Sequence, residues 1–375
     1  MKLLFAFMLA VLLYLVQYIL FNRLWDKKLY ITIDFAETVV EEGSRTTLVE
    51  TIENRKWMPL PILQIKFATT RTFLFAEEKN ASVTDQYYRN EFFSVMPHQR
   101  IVRELPFVCD KRGCYRVNGM DVLSRDLFLT EKMFLHMEHD ATIYVLPRRI
   151  KAEKLSFSMD TLFGNIVKKS YMNEDPFEFA GIREYQPYDS MHSINWKNTA
   201  KTGVLQVNTY HTTFSQEIHI FLNLETQIVP HTNKLQEESI RIADAMANWF
   251  LFQKIPVGFH TNAKDLYTKE EFTVKAGAGN NHIRNMEIAM ARIDLTQARG
   301  NFAELLYAKA MTMSRNVKLV VISNYRKTDL VNMYKLLCEE GFSCSWIMPD
   351  FFDVEVSEMC MGLPEFKRWE VTYGD

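Results

Sequence analysis

From Leu3 to Phe21 the chain is an almost unbroken apolar run, LLFAFMLAVLLYLVQYILF, with Gln17 its only strongly polar residue. That length matches a bilayer span, and a buried core helix is the alternative. From Leu29 to about Pro147 the pattern changes to short period-two alternations: LYITIDF, TTLVETIEN, PILQIKFATT, Tyr87 to Val95, RIVRELPFV, YRVNGMDVLS and ATIYVLP. With Gly43, Asn54, Pro97, Gly113 and Gly119 between the runs as turn residues, this predicts a β-sandwich. Arg148 to Asn173 is mixed and basic and is expected to be a linker, and Arg183 to Val207 has neither helical nor strand periodicity. Beyond it, apolar strands alternate with amphipathic helices. Ser215 to Leu224, Ile255 to Thr261, Val317 to Ser323 and Cys344 to Met348 read as strands. Lys234 to Gln253, Asn281 to Ile293, Asn301 to Ser314 and Thr328 to Glu340 read as helices, the last ended by Gly341. Such alternation predicts a doubly wound α/β sheet.

The flanks refine the first segment. Asn22 to Lys28 (NRLWDKK) offers no small-residue cleavage site, so the span is expected to be retained. Arg23, Lys27 and Lys28 outweigh Lys2 and the amino terminus, which places the C-terminal bulk in the cytoplasm. At 375 residues, 47% hydrophobic and 13% aromatic, the chain can bury a sizeable core. A formal net charge of -2, with no extended basic run, argues against nucleic-acid binding. Five irregularly spaced cysteines do not form a disulfide framework.

The segment REYQPYDSMHSINWKNTAKTGVLQV (Arg183 to Val207) concentrates charges and aromatics. Its pattern Arg-x-Tyr-x-Pro-x-Asp, then Ile-x-Trp-Lys, then Ala-x-x-Gly-x-Leu-x-Val resembles the signature of the family called domain of unknown function 58. Val40 to Pro61 and Lys111 to Phe134, the latter with Arg-Gly-x-Tyr and a following Asp-x-Phe, resemble that family's opening and hairpin. The chain departs from the pattern at Tyr188, Ser190, His192 and Asn195, where the family usually has Gly, an acid, Arg and Asp. The resemblance implies a von Willebrand factor A-like domain after the signature. It also implies partners of the kind encoded beside such proteins: MoxR-type AAA+ ATPases and transglutaminase-like membrane proteins.

Von Willebrand factor A-like domains hold a divalent cation with Asp-x-Ser-x-Ser after the first strand and an Asp after a later one, hard oxygen ligands for a hard ion. Here the corresponding positions are Asn223, Glu225, Gln227 and Asn324, two of them amides in place of anions, so no metal is expected. Gly277-Ala278-Gly279 lacks the rest of a dinucleotide fingerprint and no phosphate loop is present. Cys338 and Cys344 read as core thiols, and His136 and His139, three apart on a strand, as solvated polar residues on opposite faces. Glu184 and Asp189 are the only acid pair in the signature to weigh for general acid–base chemistry, and ion pairing with the neighbouring bases is the preferred reading.

The expected architecture is α+β and multidomain. It comprises a transmembrane anchor and flank (1–28), a β-sandwich (29–147), linker and signature (148–214), a von Willebrand factor A-like α/β domain (215–350) and a C-terminal tail (351–375). The expected function is a non-enzymatic, membrane-anchored assembly scaffold with protein partners, possessing no cofactor. Arg183, Tyr185, Pro187, Asp189, Trp196, Lys197 and Gly203 carry the interaction, or, for Arg183 and Trp196, lock the domains together, the preferred role. Two other classes are kept: a cation-dependent ligand-binding module rebuilt around Glu225 and Ser323, and a cell-envelope enzyme using the signature acids.

Overall fold

The computed structural model describes residues 2–75, 81–83, 87–151, 155, 163, 174–187, 189–212, 217–225, 232–297, 300–351 and 362–372. The chain falls into two compact units, Met1–Arg148 and Arg149–Asp375.

The first unit begins with helix α1 (Lys2–Leu24), long and apolar enough to cross a membrane. Its residues from Leu3 to Val16 are exposed. Its C-terminal end is different: Gln17 and Phe21 are buried, and Phe21 and Trp25 join the core of the sandwich that follows.

Among the described residues ten strands follow: β1 (Leu29–Phe35), β2 (Val39–Glu41), β3 (Arg45–Asn54), β4 (Leu60–Thr69), β5 (Phe73–Phe75), β6 (Ala81–Val83), β7 (Tyr87–Val95), β8 (Arg100–Cys109), β9 (Gly113–Arg125) and β10 (Lys132–Leu146). They form a four-stranded sheet ordered β1-β3-β8-β5 and a six-stranded sheet ordered β2-β10-β9-β4-β7-β6. Neighbours are antiparallel except β2 beside β10. Leu48 and Ile52 of β3 and Leu63 and Ile65 of β4 face one shared core, as the alternation requires, and Val117 and Val122 of β9 join it from the two sides of an irregularity at Gly119 that shifts the alternation by one.

The inward face of this sandwich is not wholly apolar. Arg89 donates through Nε and Nη2 to Glu91 Oε1 (3.1 and 2.7 Å), and Arg103 Nη1 donates to Glu91 Oε2 (2.6 Å). Glu50, in register with Arg103 on the neighbouring strand, is buried beside them. Burial first, and then the Glu91 charge, pushes the Glu50 carboxyl up to about 7, against the pull of Arg103 and Arg89.

The second unit opens with a two-stranded antiparallel ribbon of β11 (Glu174–Glu184) and β12 (Gln206–Thr212). A seven-stranded sheet follows, made of β13 (Ile218–Leu222), β14 (Val257–Asp265), β15 (Glu271–Gly277), β16 (Ile293–Asp294), β17 (Lys318–Ile322), β18 (Ser343–Phe351) and β19 (Phe366–Val371). Its path is β15-β14-β13-β17-β18-β19, with β16 on β14; β14, β13, β17, β18 and β19 run parallel. Successive residues of β17 go to opposite faces, which is why the strand reads as a continuous apolar run. Val320 and Ile322 pack with Ile242, Met246 and Phe250, whereas Leu319 and Val321 pack with Leu306, Leu330 and Tyr334.

Three expectations are corrected here. The linker is not merely a connector, since Phe163 is fully buried in the core of the second unit, its ring edge-on to Phe250 at 5.1 Å. The signature is not irregular throughout, because its two ends are the paired strands of the ribbon. The tail after residue 350 contains β19, which pairs in parallel with β18 and buries Trp369 to 2% exposure, its indole N–H donating to Glu238 (3.1 Å).

Candidate functional site

Parallel sheets present ligand sites beyond their carboxyl ends, and there the chain places Asn223 after β13, Asn262 within β14, and Ser323 and Asn324 after β17. These groups chiefly satisfy one another. Asn223 donates through Nδ2 to Ser323 Oγ (3.0 Å), and its Oδ1 accepts from the Glu225 amide (2.9 Å) and from Asn262 Nδ2 (3.1 Å). Asn262 Oδ1 accepts from the Leu224 amide (3.0 Å), and Asn262 also donates to the Gly300 carbonyl (3.1 Å). Ser323 Oγ accepts from the Tyr325 amide (3.0 Å).

Glu225 is the one carboxylate in this network. Its Oε1 accepts from the Phe302 amide (2.9 Å), at the start of α5 when the helices of this unit are numbered α2 (Trp196–Thr202), α3 (Thr232–Phe252), α4 (Asn280–Ala291), α5 (Phe302–Ala310) and α6 (Thr328–Glu339). Burial raises its affinity for a proton, and the Phe302 amide only partly offsets that. The Asn223 and Asn262 oxygens already accept from N–H donors and only Asn324 Oδ1 is buried without a partner among the described residues, so with one carboxylate whose charged form burial disfavours, the set is a poor cage for a hard dication. Gln227 lies outside the described residues. Asn262 was not singled out from sequence; its signal was an Asn at the end of an otherwise apolar strand run.

The signature residues occupy the excursion between β11 and β12. Arg183 grips Asp189 with both terminal nitrogens (Nη1 to Oδ2 2.6 Å, Nη2 to Oδ1 2.5 Å), and the Gln186 amide donates to the same carboxylate (2.8 Å). The Arg183 hydrogen bonds hold the Asp189 carboxyl below its usual range. Asp189 is thus committed to closing its own loop. The Tyr185 amide donates to the Leu205 carbonyl (2.9 Å), and Pro187 is exposed at the turn.

The two departures from the family pattern at Ser190 and Asn195 retain a local role. Ser190 Oγ caps the short 3-10 turn Met191–Ser193, and Asn195 Oδ1 accepts from the Asn198 amide (3.0 Å) to cap α2. Gly203 ends α2 with φ of 74°, a left-handed conformation that lets the chain reverse into β12. Its place is therefore explained by backbone geometry. Trp196, expected as a brace, is 63% exposed in the first turn of α2, with Lys197 exposed beside it. At that exposure Trp196 does not pack into the core of its own unit.

Other candidate chemistry resolves into structure. His136 pairs with Asp121 (2.7 Å) and His139 with the Ile33 carbonyl (2.8 Å), so they share no ligand position. Gly279, with φ of 94°, makes the strand-to-helix turn into α4. Cys344 is buried and Cys338 half-buried. A pair that sequence reading missed is His219 and His260, stacked inside β13 and β14 with Nδ1 to Nε2 at 3.0 Å. Gly258 makes room for it, since a Cβ there would lie 2.6 Å from His219 Nδ1. Burial, followed by the charges of His219 and Lys309, pushes the His260 imidazole down to about 3.

No family model matches the sequence, and no curated protein matches it. Similar solved structures are small domains. They include a type II cohesin domain from the cellulosome of Acetivibrio cellulolyticus (10% identity, TM-score 0.24, 31% of this chain and 95% of that one). The CARDB domain of the PF1109 protein from Pyrococcus furiosus (15%, 0.21, 32% and 88%) and the collagen-binding subdomain of the Enterococcus faecalis surface protein ACE (9%, 0.22, 31% and 96%) are further examples. At these scores the likeness carries no conclusion about function.

Proposed function

We propose that the chain is a membrane-anchored, non-enzymatic assembly scaffold. In this reading α1 is a retained single-pass anchor, the soluble part faces the cytoplasm, and the second unit is a von Willebrand factor A-like domain that presents the signature to protein partners. The family resemblance points to a MoxR-type AAA+ ATPase as the partner class. The observation that carries the reading is the exposure of Trp196, together with Met191, Val204 and Leu205, on an excursion whose own backbone is tied down by the Arg183–Asp189 pair and two caps. Rigid, exposed Trp and aliphatic side chains next to Lys197 and Lys201 are what a protein interface uses as anchors. Commitment of Asp189 to Arg183 and of the sheet-end amides to each other favours recognition over acid–base or cation chemistry.

The test is binding of the full chain in detergent micelles to a purified MoxR-type ATPase from the same genome. Wild type is compared with Trp196→Ala and Met191→Ala, while hydrogen exchange monitors the fold. Loss of binding with unchanged exchange is the expected outcome. Undiminished binding by a doubly substituted, folded chain would sink the proposal.

A further inference from the structure

The hairpin between β9 and β10 carries three consecutive exposed apolar residues, Leu127, Phe128 and Leu129. A soluble domain gains nothing from such a tip, and here its position is fixed against α1. The ring of Phe128 lies 6.1 Å from that of Tyr14, and Tyr14 Oη donates to Thr130 Oγ1 (3.4 Å). One helical turn further along, Gln17 donates through Nε2 to Asp126 Oδ2 (3.1 Å).

Helix length then decides which solvent the tip meets. A hydrocarbon core of about 30 Å needs roughly 20 residues at 1.5 Å each. Counted from Leu3, which follows the charged Lys2, the span therefore reaches to the neighbourhood of Asn22 and Arg23. Tyr14 lies eight residues inside Asn22, which is about 12 Å. If the bilayer stopped short of Tyr14, only about 18 Å of helix would be left to cross it.

We infer that the Leu127-Phe128-Leu129 tip is a second membrane element, inserted into the bilayer beside the anchor helix. The inference rests on the anchor reading above. The chemistry of the hairpin fits, because irregular backbone at membrane depth must find its partners within the protein. Asp126 supplies several of them: its Oδ1 accepts from the amides of Thr130 (2.7 Å) and Glu131 (3.0 Å), its Oδ2 from the Thr130 hydroxyl (2.7 Å), and its carbonyl from the Leu129 amide (3.1 Å). The same carboxylate accepts from Gln17 Nε2, so it ties down the donor end of the one strongly polar side chain of the span, which is 9% exposed, while Gln17 Oε1 is buried without a partner among the described residues. Arg125 and Lys132, paired across the base of the hairpin, set cations on its headgroup side.

The full chain is reconstituted into vesicles of phosphatidylcholine and phosphatidylglycerol with the fluorescent residue dansylalanine in place of Phe128, of Leu9 in the anchor, or of Glu104 on the exposed side of β8. Quenching by dibrominated lipid is compared with quenching by aqueous iodide. The expected result is lipid quenching at position 128 close to that at position 9, with iodide alone reaching position 104. Lipid quenching at 9 combined with iodide access at 128 overturns the inserted tip and leaves the anchor standing. Absence of lipid quenching at 9 overturns the anchor and the tip with it. A probe at 128 reached by neither quencher means that protein covers the tip, which also overturns the inference.

Discussion

Two buried polar clusters, one in each unit, are built in opposite ways. The sandwich keeps charges inside, with Glu91 held by two arginines and Glu50 next to them, whereas the sheet-end cluster of the α/β unit is built mainly from neutral amides and a hydroxyl. A buried ion pair must recover a large desolvation cost from its partners, so it makes stability depend on which groups hold protons. An amide network is insensitive to protons but exacting about geometry, because each lost partner leaves a buried group unpaired. One chain can thus contain a proton-responsive base and a sheet end whose amide and hydroxyl hydrogen bonds do not change with pH, Glu225 being its titrating member.

The largest effect should come from the strand that completes the α/β sheet. Trp369→Ala removes a nearly fully buried indole and the bond to Glu238, and is expected to cost the second unit about 3–5 kcal/mol. Amide hydrogen exchange in the full chain should show lost protection in β18 and β13 and none in β3. A loss of protection in β3 of equal size would break the division into two units.

Proton dependence should separate the units next. Glu50 has a folded pKa of about 7, above its ordinary 4.5, so between these values the folded state holds the extra proton. The associated stability is fully present below about 4.5, is lost as pH rises through 7, and amounts to about 3 kcal/mol at most. Glu50→Gln should flatten that slope in β3 exchange. His260 has the opposite sign: with a folded value of about 3 against an ordinary 6.5, its contribution is present above 6.5 and is lost as pH falls toward 3. Protection of β14 amides, corrected for the intrinsic pH dependence of exchange, should therefore fall on mild acidification while that of β3 rises, and parallel responses in the two strands would erase the distinction.

A smaller effect tests the amide cluster. Asn262→Ala leaves the Leu224 amide without its side-chain acceptor and is expected to cost about 1–3 kcal/mol. The same cluster should give no saturable heat in a Mg²⁺ titration, and binding abolished by Glu225→Ala would restore the cation-dependent reading. Smallest of all, Trp196→Ala should change the stability of the second unit by no more than about 0.5 kcal/mol, as befits an exposed side chain. A loss of several kcal/mol there would make Trp196 a brace after all.

Several strands were legible because the pleat enforces period two: Leu29, Ile31 and Ile33 are buried and Tyr30 and Thr32 exposed, as LYITIDF reads. The helix from Thr328 ended at a left-handed Gly341 (φ 88°) for an equally local reason. The ribbon was hidden because register shifts near Phe179 interrupt the alternation of β11. Strand β19 was hidden because FKRWEV, at the sheet edge, buries little beyond Trp369 and Val371. The candidate site was partly legible. Asn223, Glu225 and Asn324 could be aligned with a family pattern, but Asn262, which joins two of the connections, lies in a different strand and comes near only through the parallel pairing of β13 with β14.

By itself the sequence determined the apolar helix, the strand alternation of the sandwich and the strand–helix order beyond it, because each depends on periodicity within a few residues. Only the tertiary structure decided that Glu50 meets Glu91, that Asn223 meets Asn262, that Trp196 stays in solvent and that Phe128 sits against Tyr14. Those outcomes depend on which surfaces distant segments bring together, and a side chain's partners across such a gap leave no mark on the residues beside it in the chain.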